Sequence, residues 1–473
     1  MLFTQIEYLF FFSLFLLIYF CLPRQLFRSA VLLCFSYYFY AFWNIYYLPL
    51  IIFTTLVTFS CAIILNDYRR SKLILILGII LNLSSLIVFK YYDFFIANIN
   101  SLDASIKFDY LNLILPVGIS FYTFQGMAYL IDVYKGEIKT ERNLLIYANF
   151  ISFFPQLVAG PIERAKNLLP QLKREEKFCF KSLIIGTHWI GWGLFKKLVI
   201  ADNIAPIVNS VYAAPETHGW LTLIFATYLF AFQIYCDFSG YCDIAVGSAR
   251  SIGIKLSTNF RNPYIAISMR DFWERWHITL SHRFRDYVYK PLSVKKIKKN
   301  SLGNKTFGYL VLTFIISGFW HGAAWTFIAW GLLHGIYRLI EIQLGPRFWD
   351  PKNIAHKTLN MFVVFNLVCL AWIFFRANSI YDAVKIIQII FTFESSLSSE
   401  LIIVGSLFYD SMNLILVSIT ILYLGNYLME RKNIVKNYWN QDSTVHYIML
   451  IAMALTILFN ASTGENAFIY FQF

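Results

Sequence analysis

Apolar runs long enough to cross a bilayer recur from one end of this chain to the other, and that recurrence limits the fold more than any other feature. A bilayer core demands roughly 17–25 residues of helix. Such runs fall at about 6–22, 29–43, 48–65, 72–90, 111–134, 143–162, 182–212, 220–253, 306–320, 322–343, 359–375, 401–429 and 444–460. Of the 473 residues, 58% are hydrophobic and 14% charged, against about a quarter charged in soluble domains. No aqueous core hides that much apolar surface, so the bilayer is the solvent. The expectation is an all-α, polytopic integral membrane protein with about 10–13 membrane-embedded helices. Some segments are too long or too short for a simple span, so some can enter and leave one face where protein buries the backbone. The run Ile6–Leu22 lacks a basic leader and a small-residue cleavage site, and reads as a retained first helix.

Charge gives the orientation. Arg24 and Arg28 flank the first loop, the second (Asn44-Ile45) carries no basic residue, and Arg69, Arg70 and Lys72 mark the third. The positive-inside rule then places the N-terminus outside the cytoplasm. Lys295, Lys296, Lys298 and Lys299 belong to the cytoplasmic face, as do Lys173, Arg174 and Lys177. The net charge of +13 is spread over these short clusters, which argues against a nucleic-acid partner. Of seven cysteines none forms a CxxC pair, and Cys21, Cys34, Cys61 and Cys369 read as buried packing residues. Cys236 and Cys242 are spaced so that one helix does not bring them to one face, so no metal site is expected.

Four stretches are more polar than their neighbours allow. LPVGISFYTFQ (Leu115–Gln125) holds Pro116 and Gly118, and reads as a kinked helix or a cavity lining. FPQLVAGPIER (Phe154–Arg164) reads as a turn leaving the membrane, with Glu163 and Arg164 able to pair, or as a substrate-lining segment. QIYCDFSGYCDIAVG (Gln233–Gly247) puts Asp237 and Asp243 in a membrane-like run, where a carboxylate needs a partner. Arg250 or Arg275 can supply one; the alternative is that the carboxylates organise a reaction chamber. DFWERWHITLSHRFRDYVYKPL (Asp271–Leu292) reads as one amphipathic interfacial helix, its stripe made of Trp273, Trp276, Leu280, Phe284 and Tyr287. His277 lies beside that stripe and His282 about 140° round, at the surface.

The sharpest feature is GFWHGAAWTFIAWGLLHG (Gly318–Gly335). His321 and His334 sit in an apolar run, where an imidazole without a partner is costly. On one helix they lie about 20 Å apart and on different faces, so they share no proton without a break between them. Small neighbours leave room beside His321, and Trp320 and Trp325 wall it in. A buried neutral imidazole suits general base catalysis, taking a proton from an alcohol that attacks a thioester. A packed, hydrogen-bonded imidazole is the other reading. No GxSxG elbow, HExxH helix or glycine-rich phosphate loop is present.

DFWERWHITLSHRFRDYVYKPL followed by SGFWHGAAWTFIAWGLLHG closely resembles the membrane-bound O-acyltransferase (MBOAT) family, in its bacterial alginate O-acetyltransferase-like branch. FPQLVAGPIER, GLFKKLVIADN, QIYCDFSGYCDIAVGSA, AWIFFRA and the terminal FIYFQF are similar to that branch too. The resemblance runs from about Leu115 to the C-terminus, and where many relatives have a glycine-rich turn after Pro291-Leu292, this chain has SVKKIKKN.

The resemblance implies one transmembrane domain over 1–473: peripheral helices to about 100, a motif-bearing core over 111–376, and C-terminal helices over 377–473. It implies helices around a central funnel-like chamber, with His321 and His277 as the catalytic pair and His321 as general base. Trp320, Trp276, Asp237, Ser239, Asp243, Gln125 and Arg275 are expected to line the chamber. The implied reaction moves an acetyl group from a cytoplasmic thioester, acetyl-CoA or another acyl donor, toward hydroxyls of an exported or cell-wall polysaccharide. No resident cofactor or metal is implied. The implied partners are an esterase-like protein beyond the membrane, the polysaccharide acceptor and membrane lipid, and the implied location is the bacterial inner membrane. The alternatives are D-alanyl transfer to teichoic acid from a carrier protein, peptidoglycan O-acetylation, a scaffold that only anchors a partner, and a transporter that uses Asp237 and Asp243 for ion coupling.

Overall fold

Side chains that have no water to avoid can be apolar on every face of a helix, and the computed structural model shows this in its first element. The structure describes residues 1–67, 71–102, 107–294, 304–345, 349–393, 395–408, 412–430, 443–462 and 468–469. In the helix Ile6–Cys21, Tyr8, Phe12, Phe15 and Tyr19 are buried while Phe10, Leu14 and Leu17 are exposed. One face meets protein and the other meets lipid, and both are apolar.

The described residues form helices and no strand, so the chain is all-α. Five helices are long and apolar enough to cross a membrane: Ile45–Asp67, Lys72–Leu102, Phe180–Ala213, Trp220–Ser251 and Ile354–Arg376. Shorter apolar helices join them, among them Ile6–Cys21, Phe307–His321 and His446–Asn460. The basic run Lys295–Lys299, Arg69 and Arg70, and most of FIYFQF lie outside the described residues.

The chain divides into two compact units. One comprises Met1–Ile190 with Tyr241–Ser257, the other Gly191–Gly240 with Thr258–Phe473. In the first, Leu48–Asp67 and Lys72–Leu86 pack on Ile119–Lys135, with small residues at the contacts, as membrane packing favours. The Tyr147 hydroxyl donates to Thr58 Oγ1 at 2.7 Å.

Two polar stretches of this unit differ from simple spans. Leu115–Gln125 is a helix start in place of a kinked helix. The chain is non-helical up to Val117, Gly118 takes φ +76°, and the helix begins at Ile119. A methyl at Gly118 would also lie 2.7 Å from the Leu157 carbonyl oxygen, so only glycine fits. FPQLVAGPIER breaks into a short helix, Phe154–Leu157, and a turn. Its Glu163 is buried and accepts from the Ser257 amide. Cys21 and Cys34 are exposed, in contrast to the packing role expected of them, because they sit on outward helix faces; Cys369 is buried as expected.

In the second unit a core of large rings gathers around Phe230, Trp276, Trp330, Trp372 and Phe375. Five stretches contribute, among others: the run Phe195–Ala213, the helix Trp220–Ser251 up to Gly240, the short helix Met269–Arg275 with Trp276, the helix Trp325–Leu344 and the helix Ile354–Arg376.

Candidate active site

The expected single amphipathic helix over Asp271–Leu292 is broken in its first third, and the break makes the site. Ser268 Oγ accepts from the Asp271 amide and starts the helix Met269–Arg275. Trp276 is extended, and His277 takes φ +42° and ψ +52° before the helix Ile278–Phe284 begins. A non-glycine residue in the left-handed region costs about 1–2 kcal/mol and needs compensation. Asn259 supplies it. Its carbonyl oxygen faces the Thr279 amide at 3.1 Å, the Thr279 hydroxyl at 2.9 Å and His277 Nδ1 at 3.1 Å, and the Asn259 backbone carbonyl accepts from the Ile278 amide. An amide N–H can only donate, so the atom it faces is oxygen, and His277 Nδ1 must carry the proton. The lone pair of His277 is therefore on Nε2. His277 lies outside the long apolar spans, and burial pushes its imidazole down, to about 3, so it is neutral.

His321 ends the helix Asn304–His321, and a short link through Gly322–Ala324 leads into Trp325–Leu344. The break without which His321 and His334 could not share a proton is therefore present. Glycine closes the hairpin: a methyl at Gly318 would run into the Phe327 carbonyl oxygen, and one at Gly322 into the Phe327 ring. The His321 ring is 5% exposed. Trp320 lies 5.0 Å from it, Trp330 5.2 Å and Phe375 5.6 Å, all nearly edge-on. Trp325, expected to be a wall, is exposed instead. It opens the second helix of the hairpin and points away, so Trp330, one and a half turns on, takes its place.

The two histidines meet. Their ring centroids are 6.4 Å apart, with Trp320 6.4 Å from His277 and Phe238 packed edge-on at 4.7 Å. Trp276 is buried behind them against Phe260, at 5.0 Å, and Trp372, at 5.1 Å. His282 is exposed on its helix, as its angle predicts.

The expected partners of Asp237 need correction. Neither Arg250 nor Arg275 pairs with it. Lys197 Nζ lies 2.7 Å from Asp237 Oδ1 and 2.7 Å from Asp202 Oδ1, and the Ile469 amide donates to Asp237 Oδ2 at 2.7 Å. Lys197 reaches this point because the chain makes a wide π-helical turn over Phe195–Ala201. Arg275 pairs with Asp271 at 2.6 Å, one helical turn back. Ser239 is buried on the same helix as Asp237. Gln125 and Asp243 belong to the other unit. There Gln125 donates to the Phe150 carbonyl at 2.8 Å and accepts from Gln156, which accounts for its burial, and Asp243 is partly buried.

Sequence reasoning missed Asn259, Lys197 and Phe375. A lysine pair inside the apolar run GLFKKLVIADN is a signal for a buried ion pair; nothing in the sequence around Asn259 marks it. Among the described residues no group of three His, Cys, Asp or Glu side chains is placed to hold a metal ion.

Residues 137–384 match the MBOAT, membrane-bound O-acyltransferase family. A peptidoglycan O-acetyltransferase of Helicobacter pylori is 38% identical over 77% of this chain and 74% of its own length. The probable alginate O-acetylase AlgI of Pseudomonas aeruginosa is 35% identical over 85% of this chain and 77% of its own. A teichoic acid D-alanyltransferase of Bacillus subtilis is 32% identical over 56% of this chain and 70% of its own. The family match takes in both histidine-bearing segments, His277 and His321 alike, and on these grounds the chain belongs to the membrane-bound O-acyltransferase family and is a multi-pass membrane acyltransferase.

Proposed function

We propose that this enzyme transfers an acetyl group from acetyl-CoA on the cytoplasmic side to hydroxyls of an exported or cell-wall polysaccharide. The carrying observation is the pair His277–His321, two imidazoles 6.4 Å apart at the ends of different helices inside one aromatic core. His321 is the general base. It takes the proton as the acceptor oxygen attacks the thioester carbonyl; the new C–O bond forms and the C–S bond breaks. His277, whose Nδ1 is held by Asn259, places the reacting groups. Trp320 and Trp276 exclude water. Asp237 acts structurally, through Lys197, and Ser239 and Arg275 are near neighbours in sequence of residues that position the site. Chain 1–473 acts as one membrane domain in the inner membrane, N-terminus outside, with an esterase-like protein receiving the acyl group beyond the membrane.

The acetyl reading is favoured over D-alanyl transfer because the acetyltransferase relatives align over 77% and 85% of this chain and the D-alanyltransferase over 56%. Peptidoglycan is the second acceptor reading, favoured by the Helicobacter pylori relative at 38% identity. Ion coupling through Asp237 loses its footing, since that carboxylate is held by a lysine and a backbone amide. The test uses membrane vesicles holding the enzyme, acetyl-labelled acetyl-CoA in one set and alanyl-labelled carrier protein in another, with alginate and peptidoglycan fragments as acceptors. Label from acetyl-CoA in polysaccharide is expected; label only from the carrier protein would reverse the donor assignment.

A further inference from the structure

The inward face of the helix Trp325–Leu344 carries polar chemistry that acyl transfer at His321 does not use. Trp330, His334, Tyr337 and Glu341 recur at spacings of four, three and four, which is one helical face. All four are buried, while Leu332, Ile336 and Ile340 between them are exposed. The His334 ring is fully buried, 4.8 Å from Trp330, 5.1 Å from Trp273 and 5.9 Å from Tyr337. Among the described residues neither ring nitrogen of His334 has a hydrogen-bond partner, and neither do Trp273 Nε1, Trp330 Nε1 and the Tyr337 hydroxyl. An indole only donates, a neutral imidazole offers one donor and one acceptor, and a phenol offers both. The set therefore has more donors than acceptors. Buried donors demand acceptors, and water, which accepts and donates, satisfies such a set in a protein interior.

The file touches the reacting residue at one end, where Trp330 packs on His321 at 5.2 Å. At the other end Glu341 pairs with Arg338 and accepts from the Arg270 amide at 3.0 Å. Arg338 and Arg270 mark that end as the cytoplasmic one under the positive-inside rule. The reaction leaves a proton to be moved. A thiol ionises near pH 8.5, so the thiolate leaves without needing a proton at the reacting centre. His321 then holds the acceptor's proton behind aromatic walls.

We propose that the inward face of this helix is the proton exit of the enzyme: water held at His334, Trp273, Trp330 and Tyr337 carries the proton from His321 to the Glu341 end. The balance closes. The acceptor O–H bond breaks, His321 takes the proton and releases it along the file to the cytoplasmic solution, and the departing thiolate takes a proton from that solution. His334 acts through His321, as a positioning and proton-handling residue. The inference rests on the proposed acyl transfer, whose failure would be seen in the wild type, whereas failure of the exit would be seen only in the variants.

The experiment follows label transfer from acetyl-CoA in vesicles holding the full chain, in the first turnover and in the steady state. His334→Gln and Tyr337→Phe are expected to keep the first-turnover rate within about twofold and to lose about tenfold in the steady state, with an enlarged solvent deuterium isotope effect. Tyr337→Phe removes one oxygen and keeps the ring, so it stands if the histidine variant does not fold. Wild-type steady-state rates and isotope effects in the folded variants would overturn the proposal. So would a first turnover that slows in step with the steady state, which marks a structural defect.

Discussion

The helix Ile6–Cys21 and the segment Asn259–His334 both bury aromatic rings, but in opposite company. In the first, five rings of one face pack under a lipid-facing row of Phe10, Leu14 and Leu17, and the two tyrosine hydroxyls are met singly, Tyr8 by Ser248 at 2.6 Å and Tyr19 by Gln25. In the second, Asn259, His277, Thr279, His321 and His334 are all buried among tryptophans. The backbone there runs in seven-residue helices with a left-handed histidine between them. Apolar rings tolerate any continuous helix. Buried polar groups must be met one by one, and the chain bends to meet them.

Substitutions break or sharpen that contrast to graded extents. The largest loss of stability is expected from Lys197→Met, which leaves Asp237 and Asp202 buried without their cation and costs about 3–5 kcal/mol. Thermal unfolding in detergent measures it, and an unchanged midpoint would mean that the pair does not hold the core. Next comes Gly318→Ala. The added methyl meets backbone, not a flexible side chain, and a loss of about 1–3 kcal/mol is expected. Yield of monodisperse protein reports it, with Gly308→Ala as the control, since open space surrounds that glycine. Asn259→Ala removes the one oxygen that accepts a bond from His277 and two from Thr279, costing about 1–2 kcal/mol. It also frees the His277 tautomer, so kcat should fall about tenfold while the KM for acetyl-CoA holds. A change in KM alone would assign Asn259 to donor binding. Smallest of all, Leu14→Ala on the lipid side should shift stability by no more than about 0.5 kcal/mol; a larger shift would place protein against that face.

The same contrast explains what could be read in advance. Hydropathy located the helices because the bilayer rewards it directly: the helix Ile354–Arg376 covers the run expected at 359–375, and Lys72–Leu102 begins with the run expected at 72–90 and continues beyond it. His321 stood out by its chemistry before any geometry, and the family resemblance added His277. Three things were not legible. The break at Trp276–His277 carries no glycine or proline, since tertiary bonds from Asn259 impose it. Asp237 finds Lys197 through a π-helical turn that no periodicity announces. Trp325 and Trp330 are equivalent in a hydropathy plot, and only the hairpin decides which of them faces His321.

The central claim is that His321 is the base of an acyl transfer carried out inside this aromatic core. Vesicles holding either the wild type or His321→Ala, matched for folded protein by detergent-phase elution, would be given acetyl-labelled acetyl-CoA and polysaccharide. Loss of transfer by about 10²- to 10⁴-fold in the variant, with the donor still bound, is the predicted result. Full transfer by folded His321→Ala would contradict the account, and the buried pair of histidines would then be packing alone.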